Sequence, residues 1–262
     1  MTAEWELPRL VVSTAGPVGT IAFSNPRKRN ALTFEMWRGL PAAIAELDAN
    51  ESIRVVVIEG VGSDFTAGAD ISEFTNDPNR LADFDRAVEA AYDAAPGCSK
   101  PVIAKIRGIC FGGGLGLAAG CDLRFCAADS TFRMPAARLG VGYRLDGIRR
   151  FVELIGPANT ADLFFSARRF DAADAVAMGF VSAVLDAEAL DVHVAQYVGL
   201  VAGNAPLTVR AAKAAIRASA GHAAPRDVAA VQTLIDACYA SDDYLEGQQA
   251  FLAKREPRFR GR

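Results

Sequence analysis

Apolar positions recur along the chain with two different periods, and the switch between them outlines the architecture. Arg9–Thr14 and Thr20–Phe23 are short β-rich runs flanking Gly16-Pro17, a hairpin signal. Over Asn30–Asp48 the apolar residues Leu32, Met36, Leu40, Ile44 and Leu47 fall at helical spacing. Ile53–Glu59, with five apolar residues in seven, predicts a buried strand. Leu81–Ala95 again has the helical period and stops at Pro96-Gly97. Val102–Arg107 and Leu123–Ala127 predict two more strands, with a glycine cluster and a short helix between them. Repetition of a β-β-α pattern argues for an α/β fold. From Asp171 onward strand signals nearly vanish: Ala172–Met178, Ala187–Val201, Pro206–Ala218, Arg226–Ala240 and Asp243–Lys254 all predict helices. The expected plan is a core over 1–190 and a helical region over 191–262.

Composition narrows the function classes without choosing among them. With 262 residues, 51% hydrophobic and 23% charged, the chain can bury a sizeable core. A net charge of −3 gives no ground for general affinity to nucleic acid or anionic membrane. Met1–Leu10 carries acidic residues and Pro8, without an apolar run of signal-peptide length, and no apolar stretch has transmembrane length. The five cysteines (Cys98, Cys110, Cys121, Cys126, Cys238) have no CxxC spacing, and four sit in apolar or small-residue surroundings. A reduced, cytoplasmic protein is expected, and no spacing indicates a metal site.

Four segments carry candidate chemistry. Asn25-Pro26-Arg27-Lys28-Arg29-Asn30-Ala31-Leu32 places three cations in a turn before a helix, either a solvated loop or a phosphate clamp. Thr66-Ala67-Gly68-Ala69-Asp70-Ile71 is small enough for a ligand to approach the backbone, although a plain tight turn has the same composition. Gly112-Gly113-Gly114-Leu115-Gly116, after the strand Val102–Arg107, exposes backbone N–H groups where a helix begins and so favours negative charge there. Gly114-x-Gly116-x-x-Ala119 also fits a loose dinucleotide fingerprint, but Gly120-Cys121-Asp122 ends the helix too soon for a nucleotide-binding crossover. Phe132–Gly147 is glycine-rich, then polar, and opens another helix.

In order and spacing these segments resemble the enoyl-CoA hydratase/isomerase (crotonase) family over essentially the whole chain. Ala67-Gly68-Ala69-Asp70-Ile71, the block Lys100–Asp122, Ser166–Val184, Ala205-Pro206 and the closing Phe251–Phe259 match the family in sequence order. The resemblance implies a spiral of ββα units, a CoA thioester as substrate, no separate cofactor, and a homotrimer or hexamer assembled through the helical C-terminal region. It implies a thioester carbonyl between the backbone N–H groups of Ala69 and Gly113. Arg27 and Lys28 would approach the CoA phosphates, Ala31 would also contact CoA, Ala67, Asp70 and Ile71 would lie near the adenine, and Phe251 and Lys254 near the CoA of a neighbouring subunit. Pocket depth would depend on Phe74, Phe84, Ala87 and the stretch Ala90–Ala95.

Two departures matter. Hydratases of the family place glutamates where this chain has Gly116 and Ala136, and neither of these can move a proton. Ala136–Tyr143 resembles the methylmalonyl-CoA decarboxylase branch, whose tyrosine matches Tyr143, although that branch carries a histidine where Ala69 stands. Asp146 is the other candidate to face the acyl group. The resemblance therefore implies a lyase or isomerase of fatty acid metabolism working through an enolate, with a non-catalytic acyl-CoA-binding protein or a carboxyacyl-CoA decarboxylase as alternatives. His193 and His222 are expected on helices as surface or packing residues.

Overall fold

The computed structural model describes residues 8–74, 77–222 and 225–262. Residues 1–7, which include most of the N-terminal stretch considered above, and the side chain of His222 lie outside the described parts. The chain opens with the hairpin β1 (Arg9–Ala15) and β2 (Val18–Ser24), paired antiparallel. It continues through α1 (Phe34–Ala49), β3 (Val55–Gly60), α2 (Pro78–Gly97), β4 (Val102–Ile106), β5 (Ile109–Phe111) and α3 (Gly113–Gly120). Then follow β6 (Leu123–Ala127), β7 (Thr131–Arg133), α4 (Ala136–Leu139), α5 (Leu145–Ser166), β8 (Arg169–Asp171), α6 (Ala172–Ala177) and β9 (Ala183–Leu185). Helices α7 (Ala189–Gly203), α8 (Pro206–Arg217), α9 (Pro225–Tyr239) and α10 (Asp242–Leu252) complete the chain.

The strands form two sheets. The larger has the order β1-β2-β3-β4-β6-β9 and is parallel from β2 onward. The smaller has the order β5-β7-β8, with β5 and β7 parallel. Successive strands thus alternate: β4 enters the large sheet and β5 the small one, then β6 the large and β7 the small. From β4 onward the chain winds as a spiral that lays strands on the two sheets in turn. The small-sheet strands have no counterpart in the sequence pattern, because three residues are too few to show a period.

Helix placement follows from the apolar stripes. On α1 the residues Met36, Trp37, Leu40, Ile44 and Leu47 are buried, and Thr33 caps the helix by accepting from Met36 N–H. On α2 the inward stripe is small, Ala87, Ala91 and Ala95. These helices and α3 pack on one face of the large sheet. The other face, Val55, Val57, Ile103 and Phe125, is covered by Leu190, Val194 and Val198 of α7. The expected boundary at 190/191 therefore falls inside α7, whose apolar stripe belongs to the core. His193 meets the Phe125 ring edge-on at 4.9 Å, a packing contact.

Buried charges fasten the later helices. Lys213 of α8, 7% exposed in its side chain, donates to Asp122 Oδ2 (2.7 Å), Ala95 C=O (3.1 Å) and Lys100 C=O (2.9 Å). The Arg124 guanidinium, also buried, donates to the carbonyls of Cys121, Ala118 and Phe180, closing the C-terminal end of α3. Cys98, Cys110, Cys121 and Cys126 are free and buried, and burial pushes the Cys121 and Cys126 thiols up to about 12. They remain thiols at neutral pH.

Candidate functional site

The basic turn and the small-residue turn are built as one unit. Asn25 and Asn30 are buried within it: Asn25 Nδ2 donates to Ala31 C=O (2.8 Å), and Asn30 Nδ2 donates to the carbonyls of Val61 (2.9 Å) and Asp64 (2.6 Å). Thr66 Oγ1 donates to Asn30 C=O (2.6 Å), and Ala67 N–H donates to Arg29 C=O (2.9 Å). Arg29 and Asn30 both hold a positive φ, a costly conformation maintained by this hydrogen bonding. Lys28 Nζ reaches Asp70 Oδ2 at 2.6 Å and Ser72 Oγ at 2.8 Å. Burial alone would raise the Asp70 carboxyl, but the bonds from Lys28 and Ser72 outweigh it and hold the group below the usual aspartate range. The Lys28 side chain is still half exposed, and Arg27 and Ile71 stand at the surface, whereas Ala31 is buried.

Alternation of backbone amides explains where Ala69 points. Leu32 N–H donates to Gly68 C=O (2.7 Å) and Leu32 C=O accepts from Asp70 N–H (2.9 Å). The amides of Ala67 and Asp70 thus face the same segment, 29–32, although they are three residues apart. Continuous extended chain would send them to opposite sides. The positive φ of Gly68 (+92°) supplies the reversal, and it turns Ala69 N–H away from Leu32 toward the segment 111–113. A Cβ on Gly68 would stand 2.7 Å from Phe111 O and 3.1 Å from Gly113 N. Gly112, with φ +52° and ψ −118°, makes the bend that starts α3 at Gly113. The turn that carries Ala69 therefore lies against the start of α3, and neither Ala69 N–H nor Gly113 N–H has an acceptor among the described residues.

Aromatic side chains pack against the first turn of α3. The atoms nearest to a Cβ at Gly113 would be Trp37 Cζ2 (2.7 Å), Trp37 Cη2 (2.8 Å) and Tyr92 Oη (3.4 Å). At Gly116 they would be Tyr143 Oη (2.6 Å) and the Tyr92 ring (2.7 Å). Two tyrosine hydroxyls 3.1 Å apart thus occupy the position into which a side chain at residue 116 would project. Burial pushes Tyr92 up to about 12 and Tyr143 well above its ordinary value, so both are neutral donors at pH 7. Trp37 is 1% exposed, and its Nε1 is a buried donor without a hydrogen-bond partner, which costs about 1–3 kcal/mol. Ala136 is buried at the start of α4, next to Pro135, whose ring lies 3.6 Å from where a Gly112 Cβ would be.

The remaining candidates lie elsewhere. Asp146 is 80% exposed and pairs with Arg149 at 3.2 Å, in the first turn of α5 where an acidic side chain complements the helix dipole. It is a surface residue, not one that faces the space beside Gly113. The nearby carboxylates Glu89 and Asp93 are engaged by Arg144 and Arg150, which clamp α5 to α2 on either side of Tyr92. Phe251 is 84% exposed on α10 and borders a groove of about 690 Å³ between α8, α9 and α10, and Lys254 follows that helix. Phe84 stacks on Phe34 (6.3 Å) and meets Phe74 edge-on (5.9 Å), while Ala87 is part of the buried stripe of α2. Trp37 and Tyr92 escape a reading of the sequence. Trp37 falls on the apolar stripe of α1 and looks like core, and only the place of Tyr92 beside an alanine stripe marks it out.

Among the described residues no group of His, Cys, Asp or Glu could hold a metal ion, and no helix is long and apolar enough to cross a membrane. The enoyl-CoA hydratase/isomerase family model matches residues 13–262. The chain is 31% identical over 261 residues to the peroxisomal Δ(3,5)-Δ(2,4)-dienoyl-CoA isomerase of Arabidopsis thaliana, covering 94% of each. Among solved structures it is similar to an enoyl-CoA hydratase/isomerase family protein from Hyphomonas neptunium (TM-score 0.91, 32% identity, 99% of this chain and 100% of that one). It is also similar to an enoyl-CoA hydratase/carnithine racemase from Magnetospirillum magneticum (TM-score 0.88, 33% identity, 97% and 96%).

Proposed function

The chain belongs to the enoyl-CoA hydratase/isomerase family and has the crotonase fold, and from that premise we propose that it is an acyl-CoA enzyme that stabilises a thioester enolate between the amides of Ala69 and Gly113. The observation that supports this is that the left-handed Gly68 sets its turn against Gly113, where a Gly68 Cβ would be 3.1 Å from Gly113 N, with no acceptor for either N–H among the described residues. A thioester oxygen placed there gains negative charge as the enolate forms. One preorganised donor is worth about 2.7–4 kcal/mol in such a site.

What surrounds the amides selects among enolate chemistries. Hydration needs a carboxylate pair to hold and activate water, and the two family positions are Gly116 and Ala136. Abstraction of an α-proton needs a base, and tyrosines whose pKa is raised by burial are poor ones. Loss of a carboxylate as carbon dioxide forms the enolate with no base at all. The carbon–carbon bonding pair becomes the enolate, and a neutral tyrosine hydroxyl is suited to return a proton to the α-carbon. Decarboxylation of a carboxyacyl-CoA, with Tyr143 facing the acyl group, is therefore the favoured reaction. Lys28, half exposed beside Asp70, and Arg27 would meet the CoA phosphates, sharing the ammonium between the carboxylate and phosphate oxygens.

A panel of enoyl-, dienoyl- and carboxyacyl-CoA thioesters tests the proposal, with turnover of a carboxyacyl member expected and no efficient hydration. If calorimetry shows coenzyme A thioesters bound but nothing in the panel turned over, the chain is an acyl-CoA-binding protein, the alternative favoured by the missing carboxylates. Turnover abolished by Tyr143→Phe excludes that alternative.

A further inference from the structure

Beyond the amide pair, the site holds three neutral donors whose purpose the thioester oxygen does not explain. Trp37 Nε1 is buried and unpaired. The benzo edge of the indole lies against Gly113, Cζ2 at 2.7 Å and Cη2 at 2.8 Å from where a Gly113 Cβ would stand, and Nε1 is two bonds from Cζ2. Tyr92 meets the indole at a right angle (5.7 Å between centroids, 86°), and its hydroxyl is 3.4 Å from the same Cβ position. Tyr143 Oη lies 3.1 Å from Tyr92 Oη. Two hydroxyls that bond to each other satisfy one donor between them, so a second O–H and the indole N–H remain to be met. Burying such a set next to the reacting carbonyl disfavours a purely hydrocarbon acyl group, which would leave the indole N–H and one hydroxyl unmet.

We propose that Trp37, Tyr92 and Tyr143 form a donor pocket for a second acceptor oxygen on the acyl group, a ketone or carboxylate oxygen on the first carbons beyond the thioester carbonyl. This rests on the thioester lying at Ala69 and Gly113. From there α3 runs from Gly113 to Gly116, less than one helical turn or about 4.5 Å, and the three donors flank that span. An oxygen near the β-position of a short acyl chain falls within their reach, whereas one at the far end of a long chain does not. Trp37 acts in this as a specificity residue, Nε1–H donating to the acceptor, with Tyr92 orienting both the indole and Tyr143.

The chain contains two tryptophans, Trp5 and Trp37, so the ¹⁵N-labelled full-length protein gives two indole N–H resonances that Trp5→Phe assigns. Titration uses butyryl-CoA, which has no second acceptor, acetoacetyl-CoA, which has a ketone, and succinyl-CoA, which has a carboxylate. The expected result is that butyryl-CoA binds and barely moves the Trp37 indole proton, while one or both of the others shift it downfield. The arm that does so distinguishes ketone from carboxylate. Trp37→Phe should then weaken the acceptor-bearing ligand about tenfold more than it weakens butyryl-CoA, the worth of one hydrogen bond. A Trp37 signal that stays put while all three ligands bind, or an equal loss for all three in Trp37→Phe, overturns the donor pocket and leaves the thioester site standing. Failure of all three to bind overturns both.

Discussion

Replacing Gly113 by alanine tests the packing and the electrostatics of the site in one change. The added Cβ would lie 2.7 Å from Trp37 Cζ2, whereas carbon atoms pack at about 3.5–4.0 Å. The shortfall of at least about 0.8 Å (3.5 − 2.7) falls on an indole that is 1% exposed and wedged against Tyr92. Such overpacking costs about 1–3 kcal/mol, and the better helix propensity of alanine returns at most about 1 kcal/mol. A net loss of about 1–2 kcal/mol lowers the melting temperature by roughly 2–8 °C in a chain of this size. The larger effect is catalytic. If the indole holds, the backbone at 113 must move, and the displaced donor costs about 10²–10³ in kcat. Thermal unfolding and steady-state turnover of whichever thioester the panel identifies are measured together, with Gly199→Ala as a control. Gly199 lies on the exposed side of α7 with no atom within 4 Å of a new Cβ, so alanine there should stabilise by up to about 1 kcal/mol. A Gly113→Ala protein with parental melting temperature and undiminished turnover would refute both the close contact at Trp37 and the role of the Gly113 amide.

Tyr143→Phe removes the proposed proton donor with little change in volume, so turnover should fall by about 10²–10⁴ while circular dichroism and thermal unfolding stay close to the parent. Lys213→Met breaks the buried link from α8 to Asp122; because Asp122 is 29% exposed and keeps its bond from Val102 N–H, a loss of about 3 kcal/mol is expected by denaturant titration, the low end for a broken buried pair. At Asp48 burial again acts upward, but the bonds from Ser99 and Cys98 prevail and the carboxyl is held below the usual range. Asp48 and Asp70 are thus both lowered in the folded state, which binds fewer protons than the unfolded one, so their contribution is complete above about pH 4 and is lost as pH falls below it. Lys28→Met should flatten that acid limb in part, because Asp70 loses its bond from Lys28 but keeps those from Ser72, as read by unfolding free energy between about pH 5 and pH 3 at roughly half-unit steps.

The elements legible in the sequence are those whose period is long enough to register. The strand expected over Leu123–Ala127 has those bounds in the structure, and the helices from Pro206 onward lie within two residues of their expected ends at most termini. The helix expected from Asn30 starts only at Phe34, because Asn30 holds a positive φ and Thr33 is the cap. What escapes are the strands β5, β7, β8 and β9, three residues each, whose existence depends on pairing across the chain rather than on local pattern. The site divides in the same way. Ala69 and Gly113 are named through the family resemblance, and the motifs that carry it there, Ala67–Ile71 and Gly112–Gly114, are local turn and glycine signals. The orientation of Asp146 cannot: one residue of helical phase decides between solvent and interior. Trp37 and Tyr92, separated by 55 positions (92 − 37) on two helices, meet only because α1 and α2 pack side by side over the same sheet.

The absence of carboxylates in the site is a consequence of packing as much as of residue choice. A glutamate side chain at position 116 would need the volume now held by Tyr143 Oη and the Tyr92 ring, and an ionised carboxylate there would sit against two phenols in a buried setting. Restoring that one carboxylate should therefore not produce a hydratase. Gly116→Glu is expected to destabilise the chain by at least about 1–3 kcal/mol through overpacking and to give no crotonyl-CoA hydration in an ultraviolet absorbance assay, because water would still lack the second carboxylate at Ala136 and room beside the tyrosines. If Gly116→Glu hydrates crotonyl-CoA while Tyr92 and Tyr143 remain in place, the phenols are mobile enough to clear the site, and a donor pair fixed over α3 is the wrong description of this protein.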